Sequence, residues 1–127
     1  MMNDIVITAG CRTPIGTIGG QFKTLTALDL SIPIMKELVL RSGIDPACVD
    51  DVIWGCNYQR TYKENNLARV ALVKAGLPDS VPGITVHRNC TSHVLCAVGL
   101  LPDQGWGGEV HFCRWRRQHE YRTPYGV

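Results

Sequence analysis

Hydrophobic positions along the chain alternate between short β-branched runs and longer stretches at helical spacing. Ile5-Val6-Ile7-Thr8-Ala9 is β-rich and ended by Gly10, which predicts a buried first strand. From Thr26 the period changes: Leu30, Ile34 and Leu38 recur at helical spacing, as do Met35 and Val39. Thr26, with Asp29 three residues on, reads as an N-cap with a weak capping box, and Gly43 suits the left-handed position that ends a helix. Pro33 falls inside this helix, where it removes a backbone bond at a cost of about 3 kcal/mol or kinks the axis. Asp45-Pro46 caps a short helical turn, and Val52-Ile53-Trp54-Gly55 predicts a second buried strand. Asn65 or Asn66 opens the next helix, with Leu67, Val70 and Leu72 or Val73 turned inward. Gly76 ends it and Pro78 prevents its continuation.

Pro82-Gly83 opens a third β-branched run, Ile84-Thr85-Val86, also read as a short buried strand. Beyond Cys90, Thr91 and Ser92 an apolar run (Val94, Leu95, Ala97, Val98, Leu100, Leu101) has the composition of a helix. Strands separated by helical patterns predict an α/β layer with a mostly parallel sheet. Without further partner strands and a covering layer, such a sheet is expected to leave the apolar faces of Ile5, Ile7, Val52, Ile53, Ile84 and Val86 partly open.

Composition narrows the function classes. The 127 residues hold one small domain and one core. A net charge of +2 is too small to imply a nucleic-acid or membrane partner. No apolar run approaches a membrane span and no basic region precedes an apolar segment at the start, so a cytoplasmic location is expected. Six cysteines are many for this length, but without a secretion signal a disulfide framework is disfavoured. No Cys-x-x-Cys pair occurs, and the spacings of His87, Cys90, His93, Cys96, His111, Cys113 and His119 fit no common closed zinc site, so no metal is expected. The Gly-rich connection from Arg12 to Phe22 contains neither a Gly-x-Gly-x-x-Gly nor a Gly-Lys-Ser/Thr phosphate loop. Lys36-Glu37, Arg41 and Lys63-Glu64 read as solvated charges.

Cys90 stands where the third strand gives way to the apolar run. A cysteine at a strand-to-helix turn lies near unpaired backbone N–H groups and the positive end of the helix dipole. Such a setting lowers a thiol pKa and favours the nucleophilic thiolate. The same position also suits a small residue packed under a turn.

Val86-His87-Arg88-Asn89-Cys90-Thr91-Ser92 resembles the nucleophile segment of the thiolases, the acyl-CoA C-acyltransferases. Their pattern there is roughly Val-Asn-Arg-x-Cys-x-Ser-Gly. His87 departs at the Asn and His93 at the Gly, a residue that gives the backbone room at such a turn. Arg12-Thr13-Pro14-Ile15-Gly16, Gly19-Gly20-Gln21-Phe22, Asn66-Leu67-Ala68-Arg69 and Ala75-Gly76-Leu77-Pro78 are similar to the family as well. The resemblance covers about residues 4 to 92 and implies the N-terminal part of a thiolase-like layered fold, incomplete. It implies Cys90 as the catalytic nucleophile, which takes the acyl group from an acyl-CoA and passes it to a second acyl-CoA, or in reverse cleaves a 3-ketoacyl-CoA. Coenzyme A thioesters are then substrates and no cofactor is implied. Full-length relatives are expected as homodimers or homotetramers. The family's Gly-His-Pro histidine, its oxyanion-site Asn and its second catalytic Cys come from the C-terminal half; none of the four histidines here stands in a Gly-His-Pro context. A ketoacyl-synthase-like condensing enzyme and a non-catalytic remnant or binding module remain as alternatives.

From His93 to Tyr121 the resemblance stops, yet Arg122-Thr123-Pro124-Tyr125-Gly126 restores it at the family's spacing. Codons read one base later explain the gap. Trp106 becomes Gly, Gln104 becomes Lys or Arg, and Arg114-Trp115 becomes Gly-Gly when Arg114 is CGG. His111, Phe112 and Cys113 permit Ile, Phe and Ala, and Gln118-His119-Glu120 permits Ser-Met-Ser. These phrases resemble the strand and Gly-Gly-x-Glu-Ser-Met-Ser segment that follow the nucleophile in thiolases. The chain is therefore expected to be a truncated thiolase N-terminal domain, 1–127: family-like over 1–92, out of frame over 93–121, family-like over 122–127. The basic, aromatic Arg114-Trp115-Arg116-Arg117 then needs no nucleic-acid partner. Weak order is expected from Pro102 to Tyr121.

Overall fold

The computed structural model describes residues 7–88 and the backbone of 111–114. Helix α1, Ala27–Ser42, starts where Thr26 caps it: the Thr26 hydroxyl accepts from the Asp29 N–H, and the Asp29 carboxylate accepts from the Thr26 N–H in return. Leu30, Ile34, Met35 and Leu38 are buried along one face, as the spacing predicts. The helix continues through Pro33 and ends at Gly43, whose φ of 66° is left-handed. A 3₁₀ turn, Pro46–Cys48, follows, with Asp45 Oδ1 accepting from the Ala47 N–H at 2.9 Å.

Strand β1, Asp51–Gly55, is the centre of the sheet. Val52, Ile53 and Trp54 are each at most 1% exposed, although they alternate between faces. A second 3₁₀ turn, Tyr62–Glu64, leads to α2, Leu67–Ala75, capped by Asn66 and ended by Gly76. Leu72 rather than Val73 turns inward. Strand β2, Gly83–Val86, pairs parallel with β1, Val52 opposite Gly83 and Gly55 opposite Val86. Strand β3, His111–Arg114, pairs parallel along the other edge of β1, Val52 opposite Phe112. The order β2-β1-β3 is the mostly parallel α/β sheet the pattern predicts. Val52 and Trp54 pack with Leu28, Ile34, Met35 and Leu38 of α1 and Leu67, Ala71 and Leu72 of α2 in one core. Among the described residues no helix is long and apolar enough to cross a membrane.

Three expectations change. Of the predicted first strand, Ile5 and Val6 lie outside the described residues; Ile7 to Gly10 form no strand, and Ile7 is 84% exposed. Both edges of β1 are already taken, so this run has no ladder to join there. Val52 and Ile53 are closed off rather than partly open: β1 is paired along both edges, and Val52 packs with α1 and α2. Strand β2 is half-buried rather than buried, with Ile84 37% exposed. Within Pro102 to Tyr121 the described residues 111–114 form β3; an open strand edge accepts any extended segment through main-chain bonds, whatever its side chains.

Candidate functional site

The chain leaves the sheet at Val86 toward Cys90, so the functional question begins with what fixes β2. Its carbonyls alternate in direction. Pro82 O accepts from Val52 N at 3.2 Å and Val86 O accepts from Cys56 N at 3.1 Å, both toward β1. Gly83 O therefore points to the opposite edge. There it accepts from Asn66 Nδ2 at 3.0 Å.

Asn66 lies at φ 46°, the sole non-glycine residue with positive φ among the described residues. This left-handed conformation suits Asn better than most residues and lets one side chain serve two elements. Asn66 Oδ1 accepts from the Thr85 hydroxyl at 2.9 Å and from Arg69 N at 3.4 Å. Thr85 Oγ1 accepts in turn from Ala68 N at 2.9 Å, so an otherwise unpaired N–H of the first turn of α2 is satisfied by β2. Gly83 lies so close to α2 that a Cβ there would meet Leu72 Cδ2 at 2.9 Å and Arg69 N at 3.1 Å. Arg69 spans the approach to the strand, its guanidinium donating to Val81 O at 2.7 Å and Asp79 O at 3.0 Å. The start of α2 thus grips β2 at three points.

A second polar centre ties the same turn to α1. Glu64, read from sequence as a solvated charge, is 2% exposed. Its Oε1 accepts from Ala27 N at 3.3 Å, and its Oε2 accepts from Arg60 N at 2.7 Å and Thr61 N at 3.3 Å. The carboxylate is held there because it satisfies three backbone donors, one of them at the positive end of α1. The spacing Thr61-x-x-Glu64 was a visible signal, being that of a capping box. Nearby, Trp54 Nε1 donates to Ser31 Oγ at 3.1 Å, and Ser31 donates to Ala27 O at 2.7 Å.

Cys90 itself lies outside the described residues, as do Cys96, His93 and His119 and the side chains of His111 and Cys113. His87 and Arg88, the last described residues before it, are exposed. Cys11 and Cys56 are structural in their surroundings: Cys11 Sγ donates to Ile34 O at 3.6 Å and Cys56 Sγ to Tyr58 O at 3.2 Å, while Cys48 is exposed. Among the described residues no group of three His, Cys, Asp or Glu side chains is placed to hold a metal. A concavity of about 700 Å³ is an open groove along Gly10 to Ile15 beside Arg41. Arg41 is engaged by Glu37 on its own helix, which raises its pKa, and it donates weakly to Gly10 O at 3.4 Å. That groove belongs to the Arg-Thr-Pro-x-Gly connection and holds no candidate chemistry.

Comparison with known proteins agrees with the motifs. The family model for the thiolase N-terminal domain matches residues 5–99. A 3-ketoacyl-CoA thiolase of Pseudoalteromonas translucida is 47% identical over 93 residues, 72% of this chain and 24% of that protein. A 3-oxoadipyl-CoA/3-oxo-5,6-dehydrosuberyl-CoA thiolase of Escherichia coli is 45% identical over 92 residues, 72% of this chain and 23% of that protein. The crystal structure of the Bacillus anthracis acetyl-CoA acetyltransferase superposes with a TM-score of 0.73 at 31% identity, covering 96% of this chain and 34% of that one. The chain spans about a quarter of the length of the curated relatives it matches.

Proposed function

The chain belongs to the thiolase family, and we propose on that footing that Cys90 is the acyl-accepting nucleophile of a thiolase-type acyl-CoA C-acyltransferase. The observation that carries this reading is that the family match, residues 5–99, runs through the segment Val86 to Ser92 that contains Cys90. In the proposed reaction the Cys90 thiolate attacks the thioester carbonyl of an acyl-CoA. The tetrahedral intermediate collapses with loss of the coenzyme A thiolate and leaves an acyl-enzyme. The carbanion of a second acyl-CoA then takes the acyl group and releases the Cys90 sulfur. Run backward, the same steps cleave a 3-ketoacyl-CoA. This is covalent catalysis by a thiolate, requiring a base for the thiol and donors for the oxyanion. In this reading both come from segments of the family fold that these 127 residues do not include. Coenzyme A thioesters serve as substrates without a separate cofactor, and the complete assembly is a cytoplasmic homodimer or homotetramer.

Residues 1–92 joined to the remaining three-quarters of a relative give the test. The chimera is expected to transfer acetyl groups and to carry a covalent acetyl on Cys90, and Cys90→Ala to abolish both. Acylation that survives Cys90→Ala would place the nucleophile elsewhere.

We further propose that residues 93–121 are read out of frame between two compensating shifts, one near Ser92 or His93 and one near Tyr121. Identity to the curated relatives extends over only 91 to 93 residues, in keeping with this reading. Sequencing the coding DNA decides it. Codons at 104 to 120 are expected to decode, one base later, so as to contain Ile-Phe-Ala-Gly-Gly-x-x-Ser-Met-Ser from residue 111 on. Any other decoding rejects the proposal.

A further inference from the structure

We infer that Asn66 and Thr85 are positioning residues, a lock that sets the register of β2 against α2 and hence the point where the chain leaves the sheet toward Cys90. The inference rests on the reading of Cys90 as nucleophile for its functional consequence, but the lock itself stands on described geometry. No side chain of β2 is fully buried, so its side-chain pattern alone marks its register weakly. A slip of one residue moves the exit point by about 3.3 Å and turns every side chain to the other face. Errors of about 1 Å in aiming a reacting group already cost on the order of 100-fold in rate.

Three features of β2 meet α2 in one register only. Gly83 must lie against Ala68, Arg69 and Leu72, because a Cβ there would stand 2.9 Å from Leu72 Cδ2 and 3.1 Å from Arg69 N. Gly83 O must face Asn66 Nδ2, at 3.0 Å. The hydroxyl two residues on must sit between Asn66 Oδ1 and Ala68 N, each at 2.9 Å. Displacing the strand by one residue would put Ile84 or Pro82 against the helix and would face Ala68 N with Ile84 or Val86, neither of which carries an acceptor. Cys56 N then holds the far end through Val86 O at 3.1 Å, so the lock's register is transmitted to the last paired residue. The left-handed backbone of Asn66 allows its amide to reach the strand edge and cap its own helix together.

The test uses the 127-residue chain with Thr85→Val, Thr85→Ser and Asn66→Gly. Glycine tolerates the left-handed conformation, so Asn66→Gly removes the side-chain bonds without backbone strain. Amide exchange reports the register. Alkylation of Cys90 by iodoacetamide from pH 6 to 10, read by peptide mass mapping, reports the consequence. Thr85→Val and Asn66→Gly are expected to speed exchange at Ala68 and along β2 about ten-fold, the effect of losing one hydrogen bond. Both are also expected to move the Cys90 profile toward that of an ordinary thiol, near pKa 8.5. Thr85→Ser, which keeps the hydroxyl, is expected to leave both readouts near those of the parent. Unchanged exchange in both disruptive variants would overturn the lock. Faster exchange with an unmoved, depressed Cys90 profile would overturn the positioning role. If Cys90 in the parent chain titrates as an ordinary thiol, the positioning role fails, while exchange still decides whether the lock stands and the chimera still decides the nucleophile.

Discussion

Asp29 accepts from the Thr26 backbone N–H at 2.8 Å and from the Thr26 hydroxyl at 2.7 Å. Its carboxyl is therefore held below its ordinary value of 3.8, the backbone bond being the largest cause and the hydroxyl bond the next. A folded value depressed below the unfolded one stabilises the fold fully above the unfolded pKa, and the contribution is lost as pH falls through the folded value. Asp29→Ala is accordingly expected to lower the urea midpoint at pH 7 and to approach the parent as pH falls from the ordinary value of 3.8 through the lower folded one. This cap was legible because Thr-x-x-Asp before an apolar period is a local signal. Glu64 was legible only in its local capping-box spacing with Thr61, since its bond to Ala27 N spans 37 residues and only the fold brings them together. Asn66 shows both cases: its capping role is written in the sequence, while its bonds to Gly83 and Thr85 depend on a strand 17 to 19 residues on.

The elements follow the same division. Helices α1 and α2 match their apolar spacing because period and caps specify them locally, and β1 matches because a β-branched and aromatic run in a parallel sheet is buried on both sides. The β-rich run at Ile7 fails as a strand because pairing, not composition, makes one. Strand β3 shows the converse, since backbone groups alone suffice to fill an edge. Within α1, Pro33 marks a conflict between sequence and element. It is exposed, and it removes the bond residue 33 would donate to Asp29 O. The helix persists because Ile34, Met35 and Leu38 on the opposite face are packed against the core, outweighing the propensity cost. Pro33→Ala is therefore expected to raise stability by about 1–2 kcal/mol, the helix gain less the ring's restriction of the unfolded chain. A higher urea midpoint at unchanged slope would bear this out, whereas a lower one would mean the ring makes a needed contact.

At the scale of the whole molecule, the proposed reading assigns the nucleophile to Cys90 and the base and oxyanion donors to other parts of the family fold. The described core can hold β2 in place, and the helix start at Cys90 expected from sequence can activate a thiol mildly. General-base deprotonation and oxyanion stabilisation each contribute about 10²–10³-fold, and together they separate a reactive cysteine from a thiolase. His93 stands where the family pattern has Gly, which disfavours the turn that aims the nucleophile. Apolar surface adds a second penalty. Val52 and Ile53 are covered, but Ile7, Ile15, Ile18 and Leu40 are each more than two-thirds exposed. At about 25 cal/mol per Å² of apolar surface, a few hundred Å² left wet forgoes several kcal/mol, comparable with the stability of a small domain. The isolated 127-residue chain is therefore expected to show no thiolysis of acetoacetyl-CoA, and to associate at concentrations where the chimera stays monodisperse. The assay is coenzyme A-dependent loss of acetoacetyl-CoA by monodisperse chain, run beside Cys90→Ala. Turnover that disappears with that substitution would show that base and oxyanion donors lie within these residues, and would overturn the division of the site argued here.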